Sequence, residues 1–459
     1  IKQSDIIPGS NIDLTLDLEL QSILQSELKK SVNRTSAKSA NGVIIDPYTG
    51  EILAMASYPA FDPNKYQNYP IENYKNRAIA DSYEPGSTYK IINLAAALNN
   101  NLISVSDTFY CENGKYKLPR GKFVHDHEPH ENISVKDIFI HSSNIGIMKI
   151  AEIIGDEILY EYSRKFGFGM ATGIRLPGET SGKLRKLDEW SGISGRMLSI
   201  GQEIASSTLQ IAMAYSAIAN GGYMLKPYIV KSIDNKPLDQ NKPKVLRKII
   251  SKTISDQILS MMEQVVLNGT GTKAYLPGFR IGGKTGTAEK FINGSYSKSE
   301  FISSFASIFP IDNPKYVCVV SIDSPRYGFH WGNETAAPVI KGVYSRIIND
   351  IEGPNFLKNK TIKTPPTQDP LIVAQNDNYN TNLSLTNIED VVEIDKNTAY
   401  IPNFTGKTLK QALKIGKDIG LKLDNIGFSG QVVWQYPRPG VDLKSVRSCK
   451  IKLESKLWD

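Results

Sequence analysis

Cysteine is scarce: the 459 residues hold three, Cys111, Cys318 and Cys449, with no paired spacing. That argues against a disulfide scaffold and a zinc knuckle. Cys318, inside Tyr316-Val-Cys-Val-Val-Ser321, reads instead as a small buried hydrophobe. No uninterrupted apolar run approaches the ~20 residues of a membrane helix; the longest candidates, such as Tyr316 to Ile322, are strand-sized. A basic-then-apolar leader is also missing and the first residue is Ile1, so a mature product or a fragment is expected, its anchor or signal lying outside this sequence. Aromatic stacking patterns and recognition-helix patterns are absent, which sets nucleic acid aside as a partner. Histidine is limited to five residues, yet His125-Asp-His-Glu-Pro-His130 holds three, with His141 nearby. This polar segment has no matching distant ligand, so no metal and no cofactor are expected.

With hydrophobic residues at 40%, charged residues at 22%, 35 Gly and 24 Pro, the composition is that of an ordinary globular protein. At about 150 residues per domain, the length suggests roughly two to four domains. The net charge of +7 is uneven, because residues 399–459 hold 11 Lys/Arg against 5 Asp/Glu. A basic tail implies a solvated surface first and an anionic partner second.

Residues 11–17 alternate as a strand, and Leu20, Ile23, Leu24 and Leu28 then recur at helical spacing. Gly42 to Asp46 and Glu51 to Ser57 read as a hairpin closed by Pro47-Tyr-Thr-Gly50. After Pro85-Gly86 a helix is expected with Ile91, Leu94, Ala95 and Leu98 on one face, and residues 134–220 read as mostly helical, with Ser134 and Asp137 as a capping start. Ser207 to Ala219 is another helix, stopped by Asn220-Gly-Gly222. Strands return at Ile281 to Lys290, Phe301 to Phe309 and Tyr316 to Asp323, with a turn at Asn293-Gly294, and a helix runs from Ala336 to about Ile351. These patterns predict one mixed sheet, built from the early hairpin and the late meander, around a helical insertion. No internal repeat is present. Residues 356–398 have linker composition, and 399–459 regain order as an amphipathic helix near Thr408 to Ile419 and three short strands.

Glu84-Pro-Gly-Ser-Thr-Tyr-Lys90 puts Ser87 at a helix start and Lys90 one turn later, on the same face. A serine hydroxyl becomes a useful nucleophile when a neighbour takes its proton, and lysine can do so once burial or a helix dipole lowers its pKa. Ser-x-x-Lys alone is weak evidence, since it recurs at Ser26 and Ser295. Order and company change this. Ser142-Ser-Asn144 is the only Ser-x-Asn between Ser87 and the sole Lys-Thr-Gly, at Lys284-Thr-Gly-Thr287. Lys284 follows Gly282-Gly283 on the first strand of the meander, where small residues admit a substrate backbone.

This trio, in this order, resembles that of penicillin-binding proteins and β-lactamases. Most of the chain is similar to class B penicillin-binding proteins of the division type with a C-terminal PASTA module. The resemblance is carried by Asp46-Pro-Tyr-Thr-Gly-Glu-Ile-Leu-Ala-Met55, Leu176-Pro-Gly-Glu179, Ser199-Ile-Gly-Gln202, Ala219-Asn-Gly-Gly222, Gly283-Lys-Thr-Gly-Thr-Ala288 and Ala336-Ala-Pro338. In the tail it is carried by Ile401-Pro-Asn-Phe-Thr-Gly406 and Trp434-Gln-Tyr-Pro-Arg-Pro-Gly440. Two departures are Tyr89, where Phe is common, and Glu203, where Gly is usual.

The resemblance implies an α+β transpeptidase domain over 1–355, entered by a strand and helix in 1–40. Its antiparallel five-stranded sheet would carry helices on both sides, followed by a linker (356–398) and a small α+β PASTA domain (399–459). It implies D,D-transpeptidation of peptidoglycan stem peptides ending in D-Ala-D-Ala, with β-lactams as covalent inhibitors. Ser87 would be the nucleophile and Lys90 its base, Ser142 and Asn144 the proton relay and amide holder, and Lys284 the source of positive potential. Thr285, Gly286 and Thr287 would bind substrate, and backbone N–H groups of Ser87 and Thr287 would form the oxyanion hole. The implied setting is the outer face of the bacterial cytoplasmic membrane, with a glycosyltransferase and divisome membrane proteins as partners. A D,D-carboxypeptidase, a β-lactamase and a non-enzymatic penicillin or muropeptide sensor share the same residues and are the alternatives.

Overall fold

The computed structural model describes residues 9–121, 123–238, 243–292, 294–353, 401–426, 431–436 and 448–454. The chain divides into two compact units, the first within residues 1–373 and the second within residues 374–459 together with Ser251–Thr253.

In the first unit, strand β1 (Ile12–Leu14) is shorter than its alternation suggests. Asp17 ends the extended run by capping helix α1 (Leu18–Thr35), its Oδ1 accepting the Glu19 and Leu20 N–H groups at 2.9 and 3.0 Å. Strands β2 (Ser39–Ile45) and β3 (Ile52–Tyr58) form the expected antiparallel hairpin. Its turn is closed by Asp46, whose carboxylate accepts the Tyr48 N–H at 2.8 Å and whose carbonyl accepts the Gly50 N–H at 3.0 Å.

Helix α2 (Lys90–Asn99) is buried on all sides, at most 3% exposed from Lys90 to Leu98, with Lys90 and Asn93 its buried polar residues. The one-face reading was too narrow, because α2 is the central helix of a buried cluster and not a surface helix. The helical stretch continues as α3 (Val135–Ile140), α4 (Asn144–Ile154), α5 (Asp156–Lys165) and α6 (Thr208–Ala219); Ser134 caps as expected, and Ser207, read as the first residue of its helix, is its N-cap. Between α5 and α6 the chain is largely irregular over residues 166–193, a departure from the helical reading. Helix α7 (Lys252–Asn268) was not anticipated.

Strands β4 (Gly282–Ile292), β5 (Ser295–Phe309) and β6 (Tyr316–Asp323) form the meander. Gly294 sits in its first turn at φ 84°; Asn293 lies outside the described residues. Helix α8 (Gly332–Arg346) starts a turn earlier than expected, and a π-helical turn follows it over Ile347–Glu352. The sheet order is β4-β5-β6-β2-β3, antiparallel throughout and not mixed, because β6 returns beside β2 with Val319 opposite Val43.

Alternation along these strands divides the core. Val43, Ala306, Val317 and Val319 pack with α2, α4 and α6, whereas Ile44, Phe305, Cys318 and Val320 pack with α1 and α8. Helices therefore cover both faces, and β4 is left as an edge. All three cysteines are buried, and among the described residues none is joined in a disulfide.

The second unit has helix α9 (Leu409–Asp418), started by a Thr408/Gln411 capping box, and strands β7 (Lys422–Ile426), β8 (Gln431–Tyr436) and β9 (Ser448–Glu454). β9 lies between the others, parallel to β7 and antiparallel to β8. Its core includes Ile401, Phe404, Ala412, Ile415, Val432 and Ile451. The expected linker at 356–398 and the Pro437-Arg-Pro-Gly440 turn lie outside the described residues. No helix among the described residues is long and apolar enough to cross a membrane.

Candidate active site

Ser87 lies in a single 3₁₀ turn, Gly86–Tyr89, that runs directly into α2 at Lys90. Two glycines set this turn. Gly86 has φ 55° and lies so close to β4 that a Cβ would sit 2.9 Å from the Thr287 carbonyl oxygen. Gly201, at φ 78°, donates no clearance either: a Cβ there would sit 2.1 Å from the Gly86 carbonyl oxygen, and the Gly86 N–H bonds to the Gly201 carbonyl at 3.2 Å. The turn is thus clamped between the sheet edge and the Ser199–Gln202 segment. Ser87 is half-buried and opens on a cavity of about 970 Å³ lined also by Ser142, Asn144, Thr285 and Thr287. Its hydroxyl makes no hydrogen bond with another described residue.

Lys90 lies beneath the cavity, fully buried. Its Nζ donates to the Ser142 carbonyl at 2.6 Å, to Ser142 Oγ at 3.2 Å and to Asn144 Oδ1 at 2.8 Å. Those three acceptors suit an ammonium group, whereas burial favours the neutral amine. Burial dominates and pushes the Lys90 pKa down to about 7, against the opposing pull of Asp126. When the proton leaves, one of the three contacts is released and a lone pair becomes available three positions along the chain from Ser87.

Ser142 and Asn144 occupy the corner between α3 and α4. Ser142 has φ 60°, a left-handed conformation that is uncommon for a residue with a Cβ and is found at functional sites. The corner is held by a residue the sequence reading passed over. Asp126 Oδ1 accepts the Asn144 N–H at 2.5 Å and the Ile145 N–H at 3.0 Å, and Oδ2 accepts from Ser143 Oγ at 2.6 Å. A carboxylate at the first turn of α4 also complements the helix dipole. The Asn144 amide donates to the His125 carbonyl at 2.9 Å, which turns its Oδ1 toward Lys90.

Lys284 comes from the sheet side and is equally buried. Its Nζ donates to Ser142 Oγ at 2.8 Å and lies 5.7 Å from the centre of the Phe139 ring. Burial and the neighbouring Lys90 charge hold its pKa well below the ordinary lysine value. Ser142 Oγ is therefore the common acceptor of two buried lysines. Further along β4, Thr285 Oγ1 shares a 2.8 Å hydrogen bond with Thr270, and Thr287 Oγ1 accepts the Gly332 N–H at 3.1 Å. Thr270 and Gly332 carried no motif that would have marked them. Gly286, between the threonines, is crowded: a Cβ would meet Ser304 Oγ at 2.3 Å. All eight expected residues converge on one site, apart from a direct Ser87–Lys90 hydrogen bond, which is not made.

Both departures have a local explanation. The buried Tyr89 hydroxyl bonds to Ser163 Oγ, so the extra oxygen is satisfied. Glu203 stands at φ 59°, a conformation that favours glycine. Its carboxylate is paired with Arg185 and accepts from Ser194 Oγ at 2.8 Å, while its N–H donates to Glu84 Oε1 at 2.9 Å.

Residues 41–345 match the family model described as penicillin binding protein transpeptidase domain, and residues 399–454 match the PASTA domain. A protein named peptidoglycan D,D-transpeptidase FtsI homolog from Mesostigma viride is 36% identical over 369 residues, 73% of this chain and 61% of that protein. Stage V sporulation protein D of Bacillus subtilis is 30% identical over 451 residues, 97% of this chain and 65% of that protein. The chain thus spans a little under two thirds of the length of these relatives. Among solved structures, the transpeptidase domain of Burkholderia pseudomallei penicillin-binding protein 3 has a TM-score of 0.66 at 30% identity, covering 78% of this chain and all (100%) of that one. Penicillin-binding protein 3 of Mycobacterium tuberculosis in complex with aztreonam has a TM-score of 0.71 at 29% identity, covering 80% of this chain and 83% of that one.

Proposed function

The chain belongs to the penicillin-binding protein transpeptidase family, and on that premise we propose that it is a serine D-Ala-D-Ala transpeptidase that cross-links peptidoglycan stem peptides in septal wall synthesis. The observation that carries this reading is the Ser142 hydroxyl held between two buried lysine Nζ atoms, at 3.2 and 2.8 Å, beside the cavity that exposes Ser87. Neutral Lys90 takes the Ser87 proton as Oγ attacks the carbonyl between the two terminal D-alanines. Backbone N–H groups of Ser87 and Thr287 receive the developing oxyanion, each donor contributing roughly 3–4 kcal/mol by analogy with other acyl-transfer sites. The proton held on Lys90 passes through Ser142 Oγ to the leaving amine, so the C–N bond breaks and D-alanine departs, leaving an ester on Ser87. An amine from a second strand then attacks that ester, gives up its proton along the same route, and restores the Ser87 hydroxyl.

Asn144 holds the substrate amide, Lys284 supplies positive potential, and the hydroxyls of Thr285 and Thr287 meet the terminal carboxylate. Among the described residues no carboxylate hydrogen-bonds to Ser87, Lys90 or Ser142, which supports a long-lived acyl-enzyme over rapid hydrolysis. Residues 1–355 act as the catalytic unit and 399–459 as a separate PASTA module joined by 356–398. The parent protein works at the outer face of the cytoplasmic membrane with a glycosyltransferase and divisome membrane proteins.

Labelled penicillin tests the reading. It predicts a stable one-to-one adduct that mass spectrometry maps to Ser87 and that Ser87→Ala abolishes. Rapid release of hydrolysed penicillin would make the protein a β-lactamase, and equal labelling of Ser87→Ala would overturn the site. Rescue of cross-linking in depleted cells by the anchored parent, but not by its Ser87→Ala form, separates an enzyme from a sensor. Septal localisation of the tagged parent is expected; uniform sidewall signal would contradict the septal role.

A further inference from the structure

The sequence placed His141 near the histidine-rich segment without joining them; the fold brings the two together. His130 and His141 face each other with ring centroids 5.3 Å apart, and one ligand atom from each of Glu128, His130 and His141 lies within 4.8 Å of the others. Both imidazoles are partly buried and Glu128 is exposed. None of the three side chains makes a hydrogen bond or ion pair with another described residue. Two adjacent imidazoles and a carboxylate, all with unshared donor atoms, form a nitrogen-rich set that a small closure would bring to coordination distance.

We propose that Glu128, His130 and His141 bind a divalent transition-metal ion, zinc by preference, at the rim of the cavity that holds Ser87. Two imidazoles with one carboxylate match the donor set of open zinc sites, in which the fourth position is left to water, whereas calcium and magnesium favour all-oxygen sets. The position gives the ion a consequence. Glu128 and His130 follow Asp126 on the same segment, and His141 directly precedes Ser142. An ion shared by the three ties that segment to the α3–α4 corner a second time, beside the hydrogen bonds from Asp126 to Ser143 and Asn144. Metal occupancy therefore regulates how firmly Ser142 and Asn144 are held.

The test is titration of the chelator-treated protein with Zn²⁺ alone, followed by calorimetry and by competition with a chromophoric chelator. One saturable site is expected. His130→Ala and His141→Ala should each weaken it at least about tenfold, as loss of groups supporting a metal already does. His127→Ala, on the same segment but outside the trio, should leave it within about twofold. Glu128→Gln, at an exposed position, provides a variant that leaves the buried packing alone, and it too should weaken binding. Thermal midpoints measured in chelator confirm that each variant is folded. Absence of a saturable site would overturn the proposal, and so would a site that survives in both His130→Ala and His141→Ala. Because the readout is metal binding itself, it stands or falls separately from penicillin acylation.

Discussion

The two walls of the cleft hold their reactive groups by different means. On the sheet wall, Lys284 to Thr287 are fixed by the ladder of β4 on β5, Lys284 opposite Ala306 and Thr287 opposite Ser303. On the helical wall, Ser142 and Asn144 stand at a corner whose geometry depends on a few side-chain bonds, chiefly those of Asp126. A ladder spreads positional control over many backbone bonds, so the loss of one side chain is tolerated. A corner concentrates it in one carboxylate, and the same corner carries a residue in the left-handed region.

The sharpest way to break this comparison is Asp126→Ala. It removes three hydrogen bonds to the start of α4, and a displacement of about 1 Å at Ser142 and Asn144 is expected to slow acylation by labelled penicillin on the order of a hundredfold. A parental rate would show that the corner holds itself. The matching change on the sheet wall, Thr270→Val, removes the partner of Thr285 Oγ1. A net hydrogen bond is worth about 1 kcal/mol, so acylation should fall no more than about fivefold. A loss as large as that of Asp126→Ala would erase the distinction between the walls.

Smaller effects sharpen the account of the nucleophile turn. Glu203→Gly relieves a left-handed backbone conformation costing about 1–2 kcal/mol, and it also loses a partly exposed pair with Arg185 worth about 0–1 kcal/mol and gains chain entropy of about 0.5–1 kcal/mol in the unfolded state. The expected net change in stability is under about 1 kcal/mol by denaturant unfolding; a loss of several would mean that the Arg185 and Ser194 contacts organise the turn. Tyr89→Phe should be the mildest. Ser163 Oγ keeps its 2.6 Å bond to the Leu159 carbonyl, so a thermal midpoint near the parent's is expected, and a large drop would assign the Tyr89 hydroxyl a structural role.

Legibility in the sequence follows the same division. The sheet wall was readable because strand alternation, turn residues and Lys284-Thr-Gly-Thr287 are local signals. The early hairpin and both edges of β6 fell where Gly, Pro and β-branched runs put them. Ser142 and Asn144 were found from motif order, but the residue that aims them was not. Asp126 acts over 17 to 19 positions in sequence, from a segment weighed only for metal binding. Helix α7 was overlooked although Ile258, Met261, Met262 and Val265 recur at helical spacing and are buried. The first half of β5 was missed because Ser295 to Glu300 is polar, and only pairing with β4 makes it a strand.

The central claim is that buried Lys90 is the base for Ser87, and its most direct test is the pH dependence of acylation by labelled penicillin. With the Lys90 pKa near 7, protonation below that value removes the lone pair that accepts the Ser87 proton. The rate should therefore fall about tenfold per pH unit on the acid side and level off above about pH 7. Asp126→Ala removes a negative charge that favours the ammonium form, so its plateau should begin at lower pH. A rate independent of pH between about 5.5 and 9, or one still climbing toward the ordinary lysine value near 10.4, would contradict the claim.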